Sequence, residues 1–218
     1  MEKKYIVFDL DGTLTDSKPG ITRAVQYALR HYGIDEEDLE KLQPFVGPPL
    51  HESFQEYYHF SEKDSHEAVH VFREYYNDKG WAQNEPYAGV EEMLADLKKC
   101  GKILIVATSK PEQMARRILK HFNLTKYFLF IGGADDDSTR VHKDDVIRYV
   151  MECCRIEDQK DSIVMAGDRR HDIQGAHKAG IPAAGVLYGY GSRQELTEAG
   201  ADWIAGTVQE LNNLLKTL

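Results

Sequence analysis

The chain has little of what directs a protein to a membrane or out of the cell. No apolar stretch approaches the roughly 18 residues that a bilayer-spanning helix needs. The first residues, Met1–Lys4, lead into a short apolar segment rather than into the core of a signal peptide. We therefore expect a cytoplasmic protein that acts without a membrane.

Positive charge and cysteine are also scarce. The net charge of -9 disfavours nucleic acid and anionic lipid as partners, because neither is attracted overall. The three cysteines, Cys100, Cys153 and Cys154, cannot all pair with one another, and we expect buried free thiols. The nine histidines show no HExxH motif and no paired spacing, so they give no sign of a histidine metal site.

Five short apolar runs, each ending in polar residues, alternate with segments of helical periodicity. The runs are Tyr5–Phe8, Lys102–Ala107, Phe128–Gly132, Ser162–Ala166 and Ala183–Leu187. Strands that alternate with helices predict an α/β fold with a Rossmann-like, doubly wound parallel sheet. With 218 residues, of which 42% are apolar, the chain is long enough for one such domain and a smaller insert.

One connection between predicted strands is too long for a single crossover helix. The first run ends before Asp9 and the second begins at Lys102, whereas a single crossover needs about 30 residues in all. The sequence between them carries only helical patterns, and Pro and Gly mark both of its ends. We therefore predict an α/β core domain of residues 1–15 and 86–218, with an inserted all-helical cap domain of residues 16–85.

Two acidic residues directly follow the first apolar run, in the sequence Asp9-Leu10-Asp11-Gly12. Residues i and i+2 of a strand point to one side, and open parallel sheets bind ligands at the carboxyl ends of their strands, so both carboxylates are expected in one cleft. They repel each other unless a cation or a shared proton intervenes, and Gly12 lets the backbone turn around a small anion. The pattern predicts a metal site that handles phosphate.

Polar residues also follow other predicted strands. Thr108-Ser109-Lys110 follows the second, Lys143 opens a later helix, and Gly167-Asp168 with Asp172 follows the fourth. The opening DLDGTLTDS and the later GDRRHD together resemble the haloacid dehalogenase superfamily, whose first motif is DxDGT and whose fourth is often GDxxxD. The resemblance spans the whole chain, and the chain is most similar to the phosphoglycolate phosphatase-like branch, which has a helical cap.

The resemblance implies a role for each acidic residue. Asp9 would be the nucleophile that attacks phosphorus and becomes an aspartyl phosphate, and Asp11 would protonate the departing alcohol and then take a proton from water. Mg²⁺ would be bound by Asp9, by the main-chain carbonyl of Asp11 and by Asp168. Asp172 would act on this metal site through water or hydrogen bonds.

The resemblance also implies how the substrate phosphate is bound. The Thr108 hydroxyl and the Ser109 N–H would bind its oxygens, and Lys143 would neutralise charge in the transition state. Ser109 stands where the family commonly has Asn, and Lys143 is not followed by the frequent Pro. Lys110 is the alternative to Lys143 for the same role. Arg140 is either a surface residue or a substrate contact.

The implied function is Mg²⁺-dependent hydrolysis of a small phosphomonoester by a monomer or weak homodimer. Phosphoglycolate, another small organic phosphate and a nucleoside monophosphate are all open as substrates, and the loop around Gly47 is a candidate substrate contact in the cap. One alternative is a sugar phosphomutase similar to β-phosphoglucomutase, although such mutases usually have Glu-Asp where this chain has Gly167-Asp168. The other is a phospho-aspartate switch similar to a receiver domain, which has its accepting Asp on a later strand and no cap.

Overall fold

The computed structural model describes residues 2–135, 140 and 142–218, which form two compact units. The first unit is Met1–Thr15 with Pro86–Leu218, and the second is Asp16–Glu85. In chain order the strands and helices are β1 (Tyr5–Phe8), β2 (Thr15–Asp16), α1 (Lys18–His31), α2 (Leu50–Tyr58), α3 (Glu62–Asp78), β3 (Glu85–Pro86), α4 (Val90–Lys99), β4 (Ile103–Pro111), α5 (Glu112–His121), β5 (Phe128–Ala134), α6 (Lys143–Cys154), β6 (Ile163–Gly167), α7 (Arg170–Ala179), β7 (Ala183–Val186), α8 (Arg193–Glu198), β8 (Trp203–Ala205) and α9 (Val208–Thr217).

The first unit is built on a six-stranded sheet in the order β5-β4-β1-β6-β7-β8. Every pair of neighbouring strands is parallel, and Val7 of β1 is aligned with Ile105 of β4 and Met165 of β6. The chain extends the sheet on one side of β1 through β4 and β5, and then on the other side through β6, β7 and β8. Such a reversal of strand order opens a crevice at the carboxyl ends of the two strands that flank it, here β1 and β6.

The core of this unit explains why its strands are short, uninterrupted apolar runs. All four residues of β1 are buried, as expected for a parallel sheet that is covered on both faces. Tyr5 and Val7 belong to a cluster that includes Val146 of α6 and Ile173 of α7. Because side chains alternate along a strand, Ile6 and Phe8 face the opposite side of the sheet.

The predicted fold class is confirmed, and all five predicted strands are present with small shifts of their ends. β4 is longer than predicted and continues to Pro111. The strand β8 was not predicted, because its three residues are too few for a recognisable pattern.

The expectation of buried thiols was wrong for Cys100 and Cys153, which are exposed. Cys153 lies beyond the buried stretch of α6, which ends at Val150 and Met151.

The second unit consists of helices, together with one residue each of β2 and β3, which pair as a small separate sheet. Gly33, at a φ of 73°, follows the end of α1, where a left-handed residue is favoured. The Ser61 hydroxyl accepts the N–H of Asp64 at 3.1 Å and caps α3. Gly47, at a φ of 108°, lies in the loop between a short 3-10 helix and α2.

Within residues 2–135, 140 and 142–218, none of the helices combines the length and the apolar character that crossing a bilayer requires.

Stability should depend strongly on the central strands and weakly on the exposed part of the sheet edge. Ile105 is fully buried in β4. Ile105→Ala should lower the free energy of unfolding by about 2 to 5 kcal/mol, because the substitution leaves a cavity that the neighbouring side chains do not fill. The control is Leu129→Ala on the edge strand β5, where the side chain is 61% exposed and the change should stay within about 0.5 kcal/mol. Urea unfolding measures both, and equal losses would contradict this description of the core.

Candidate active site

The acidic residues of the two sequence motifs meet at the carboxyl edge of the sheet. Asp9 follows β1 and Asp168 follows β6, and these strands are neighbours, so both side chains lie at the crevice where the strand order reverses. Asp172 lies in the first turn of α7. Asp9, Asp168 and Asp172 each present a carboxylate oxygen within 4.8 Å of the others, and all three residues are buried.

The turn after β1 brings the backbone close to Asp168. Gly12 has a φ of 82°, which L residues rarely adopt, and its N–H donates to the carbonyl of Thr15 at 2.8 Å. A Cβ atom at Gly12 would overlap the Asp168 carboxylate. The glycine of the motif is therefore needed both for its conformation and for space.

Lys143 connects two of the carboxylates. Its Nζ lies 2.8 Å from Oδ1 of Asp9 and 2.8 Å from Oδ1 of Asp172, and it donates to the carbonyl of Ala107 at 3.3 Å. Burial alone would lower the pKa of Lys143, but the carboxylates of Asp172 and Asp9 outweigh burial and raise it. Lys143 is therefore a permanent cation beside Asp9, and its bond to the carbonyl of Ala107 holds it next to Thr108 of β4.

The carboxylates of Asp9, Asp168 and Asp172 form a cluster in which the negative charges repel one another unless a cation is bound. Burial raises the pKa of Asp9 from 3.8 to about 6, against the lowering effect of Lys143. Burial, followed by the charges of Asp172 and Asp9, raises the pKa of Asp168 well above its usual value. Both shifts have the same cause, namely the cost of holding several negative charges away from water.

Both oxygens of the Asp168 carboxylate are held by hydrogen bonds. The Thr13 hydroxyl donates to Oδ1 at 3.4 Å, and the backbone N–H of Tyr190 donates to Oδ2 at 2.8 Å. A Cβ atom at Gly189 or Gly191 would overlap Asp168, so the loop after β7 approaches the site at a distance only glycine permits. The apolar patterns did not predict this loop, and its signal in the sequence is Gly189-Tyr190-Gly191, which begins three residues after the last residue of β7.

The Thr108-Ser109-Lys110 motif, in the last part of β4, contributes a second buried ion pair. Lys110 Nζ lies 2.8 Å from Oδ2 of Asp11, and the two side chains are only 6% and 8% exposed. Thr108 is buried, and its hydroxyl accepts the N–H of Lys110 at 3.3 Å. Ser109, between them, is partly exposed. Lys110 and Lys143 thus pair with different acidic residues.

Arg140 is engaged outside this cluster. Its Nε donates to the carbonyl of Gly133 at 2.8 Å, and its guanidinium lies 3.7 Å from the centre of the Tyr149 ring. Its Nη2 is 3.9 Å from Glu112. These contacts attach Arg140 to the end of β5 and to α6.

The donor set fits a hard divalent cation. The buried carboxylates are those of Asp9, Asp11, Asp168 and Asp172, and the ammonium groups that pair with them are those of Lys110 and Lys143. When all are ionised, four negative charges face two positive ones, and the excess of two matches one divalent ion. An all-oxygen site of this charge suits Mg²⁺.

Comparison with known proteins identifies a family. Residues 6–186 match the model of the haloacid dehalogenase-like hydrolases. A 5'-nucleotidase from Pseudomonas aeruginosa is 44% identical over 191 residues, which cover 88% of this chain and 86% of that protein. The tyrosine-protein kinase PtkA of Mycobacterium tuberculosis is 37% identical over 214 residues, covering 97% of this chain and 72% of that protein.

More distant relatives include phosphoglycolate phosphatase 1 from Pseudomonas aeruginosa, which is 29% identical over 215 residues and covers 95% of this chain and 78% of its own length. Among solved structures, that of a predicted phosphatase from Clostridium acetobutylicum superimposes with a TM-score of 0.97 at 46% identity, and all of both chains is covered.

The shifted pKa of Asp9 predicts how stability depends on pH. In the metal-free protein, the folded state binds the Asp9 proton more tightly than the unfolded chain does, because the folded pKa is about 6 and the unfolded value is 3.8. The resulting stabilisation is complete below pH 3.8 and is lost as the pH rises through about 6. The Asp9→Asn variant, which lacks this proton, should therefore gain stability relative to the wild type over that range.

Urea unfolding of both proteins with a chelator present, at a series of pH values, measures this difference. A difference in unfolding free energy that stays constant with pH would contradict the assigned environment of Asp9.

Proposed function

Because the chain belongs to the haloacid dehalogenase-like hydrolase family and is a phosphatase, we propose that it hydrolyses a small phosphomonoester through an aspartyl phosphate on Asp9, with Mg²⁺ as cofactor. The observation that carries this proposal is the buried Asp9 carboxylate, paired with Lys143 at 2.8 Å and clustered with Asp168 and Asp172. A nucleophilic carboxylate needs a fixed position and a cationic neighbour when it approaches an anionic phosphate.

The proposed reaction has two steps. In the first, an oxygen of Asp9 forms a bond to phosphorus, and the bond from phosphorus to the ester oxygen breaks. The ester oxygen keeps the electron pair of that bond and takes a proton from Asp11. In the second, water attacks phosphorus and gives its proton to Asp11, and the bond from phosphorus to Asp9 breaks. The Asp9 carboxylate and the protonated Asp11 are restored, and inorganic phosphate leaves.

Three groups are proposed to hold Mg²⁺: the carboxylates of Asp9 and Asp168 and the main-chain carbonyl of Asp11. When bound, the ion supplies positive charge that reduces the repulsion between the nucleophile and the phosphate. Asp172, which is within reach of the same ion, is also paired with Lys143. We therefore propose that Asp172 chiefly holds the Lys143 ammonium in place.

The residues proposed for the phosphate are Thr108, Ser109 and Lys143. Lys143 supports this proposal by its position, because its ammonium donates to the carbonyl of Ala107, the residue before Thr108. Such a charge, fixed before substrate arrives, needs no reorganisation during the reaction.

The substrate is proposed to be a free phosphorylated metabolite. The 5'-nucleotidase and phosphoglycolate phosphatase relatives favour nucleoside monophosphates and phosphoglycolate as the first compounds to test. We propose that residues 16–85 act as the cap that selects among them, with the loop at Gly47 as a candidate contact. We also propose a cytoplasmic monomer or weak homodimer, without nucleic acid or membrane as partner.

Two other uses of the same chemistry are separated by simple measurements. A sugar phosphomutase would convert a hexose phosphate into its isomer without releasing phosphate. A phospho-aspartate switch would keep its acyl phosphate for minutes. Phosphate release with rapid turnover on a panel of phosphorylated metabolites is the result we expect.

Removal of the nucleophile gives the first test of this proposal. Asp9→Asn keeps the shape of the side chain but loses the attacking charge, so phosphate release should fall on the order of 10³-fold or more. Asp158→Asn, at an exposed position, is the matched control and should keep full activity. Release of inorganic phosphate is measured in Mg²⁺, and an active Asp9→Asn enzyme would contradict the assignment.

Removal of a proposed metal ligand gives the second test. Asp168→Asn should raise the Mg²⁺ concentration for half-maximal activity at least about 10-fold, because one anionic ligand is lost. Calorimetric titration with Mg²⁺ gives a readout that is independent of activity, and Asp158→Asn again serves as control. An unchanged Mg²⁺ affinity in Asp168→Asn would contradict its role as a ligand.

A further inference from the structure

We infer that Lys110 is a positioning residue for the proton-transfer group of this phosphatase: its ammonium holds Oδ2 of Asp11 and leaves Oδ1 as the atom that exchanges protons with the substrate and water. The inference rests on the proposed function of Asp11. It excludes Lys110 as the alternative to Lys143 for binding the phosphate.

The first supporting observation is the ion pair itself. Lys110 Nζ lies 2.8 Å from Oδ2 of Asp11, with both side chains more than nine-tenths buried. A buried pair of this kind is held firmly, because separating the partners would leave an uncompensated charge away from water. The Asp11 carboxylate therefore cannot rotate freely about its own axis.

The second observation is the state of the other oxygen. Oδ1 of Asp11 is buried, and among the described residues no group donates a hydrogen bond to it. A buried carboxylate oxygen without a partner is costly unless a reactant supplies one. The two oxygens of Asp11 are thus different from each other before any substrate arrives.

The third observation is that the backbone is shaped to deliver Lys110. Thr108 is aligned with Gly133 of β5, and the next aligned pair is Pro111 with Ala134, so Ser109 and Lys110 form a bulge in β4. Bulges of this kind change the direction of side chains and are frequent beside active sites.

The bulge depends on two local features. The Thr108 hydroxyl accepts the N–H of Lys110 at 3.3 Å, which ties the bulged backbone to the strand. A Cβ atom at Gly133 would overlap the carbonyl oxygen of Lys110, so a residue with a side chain on β5 would displace the bulge. The position of Lys110 is therefore set by the sheet.

The mechanism predicts which kinetic step depends on Lys110. p-Nitrophenolate leaves phosphorus without needing a proton, so the first step on p-nitrophenyl phosphate should proceed without a well-placed Asp11. The second step still requires Asp11 Oδ1 to accept a proton from water. In Lys110→Met we therefore expect a burst of one p-nitrophenolate per active site, followed by turnover about 100-fold slower than in the wild type. Because only the second step is slowed, KM should fall together with kcat, and kcat/KM and competitive inhibition by inorganic phosphate should be unchanged.

Further variants keep the test decisive. Lys110→Arg should recover part of the lost kcat, because a guanidinium still donates to Oδ2. The double variant Lys110→Met/Asp11→Asn removes both charges of the buried pair, and its kcat should equal that of Asp11→Asn alone, since the two residues act as one unit. Lys120→Met, at an exposed position on α5, is the matched control and should behave as the wild type does.

Several outcomes would overturn the inference. A wild-type kcat in Lys110→Met would exclude a positioning role, and weaker inhibition by phosphate would return Lys110 to the phosphate site. An additional loss of kcat in the double variant, relative to Asp11→Asn, would show that Lys110 acts independently of Asp11. Failure of the proposed function is recognised separately, because then the wild type itself would form no phosphoenzyme.

Discussion

The repulsion among buried carboxylates at the carboxyl edge of the sheet is the constraint on which the rest of this site depends. Two lysines offset part of it, Lys143 against Asp9 and Asp172 and Lys110 against Asp11. Burial, and after it the charges of the neighbouring carboxylates, raises the pKa of both Asp9 and Asp168. Such groups bind a cation or a proton when they must be buried.

Close approach of the backbone keeps the carboxylates in place. Glycines at positions 12, 189 and 191 leave no room for side chains around Asp168, and the N–H of Tyr190 fixes one of its oxygens. These contacts come from two loops that are about 180 residues apart in the chain, and only the parallel pairing of neighbouring strands brings them together. The fold therefore determines the distances between the acidic side chains, because it fixes where the neighbouring strands end.

Much of this arrangement follows from local sequence. Apolar runs that end in polar residues predict strands, and parallel pairing then predicts that Asp9 and Asp168 share one edge. Three features did not follow, for physical reasons. The strand β8 is too short to show a period, the hydrogen bond from Tyr190 uses the backbone and leaves no trace in its side chain, and the pairing of Lys110 depends on a bulge that is set by Gly133 on another strand. Sequence patterns report which face a residue occupies, whereas these contacts depend on three-dimensional register.

The claim that Asp9 becomes covalently bonded to phosphorus is tested most directly by trapping. The enzyme is mixed with substrate and Mg²⁺, stopped within a turnover and treated with borohydride, which reduces an acyl phosphate to the alcohol. Mass spectrometry of the peptides should then find homoserine at position 9 and unchanged Asp at positions 11, 168 and 172. Homoserine at another position, or at none while phosphate is being released, would contradict the account.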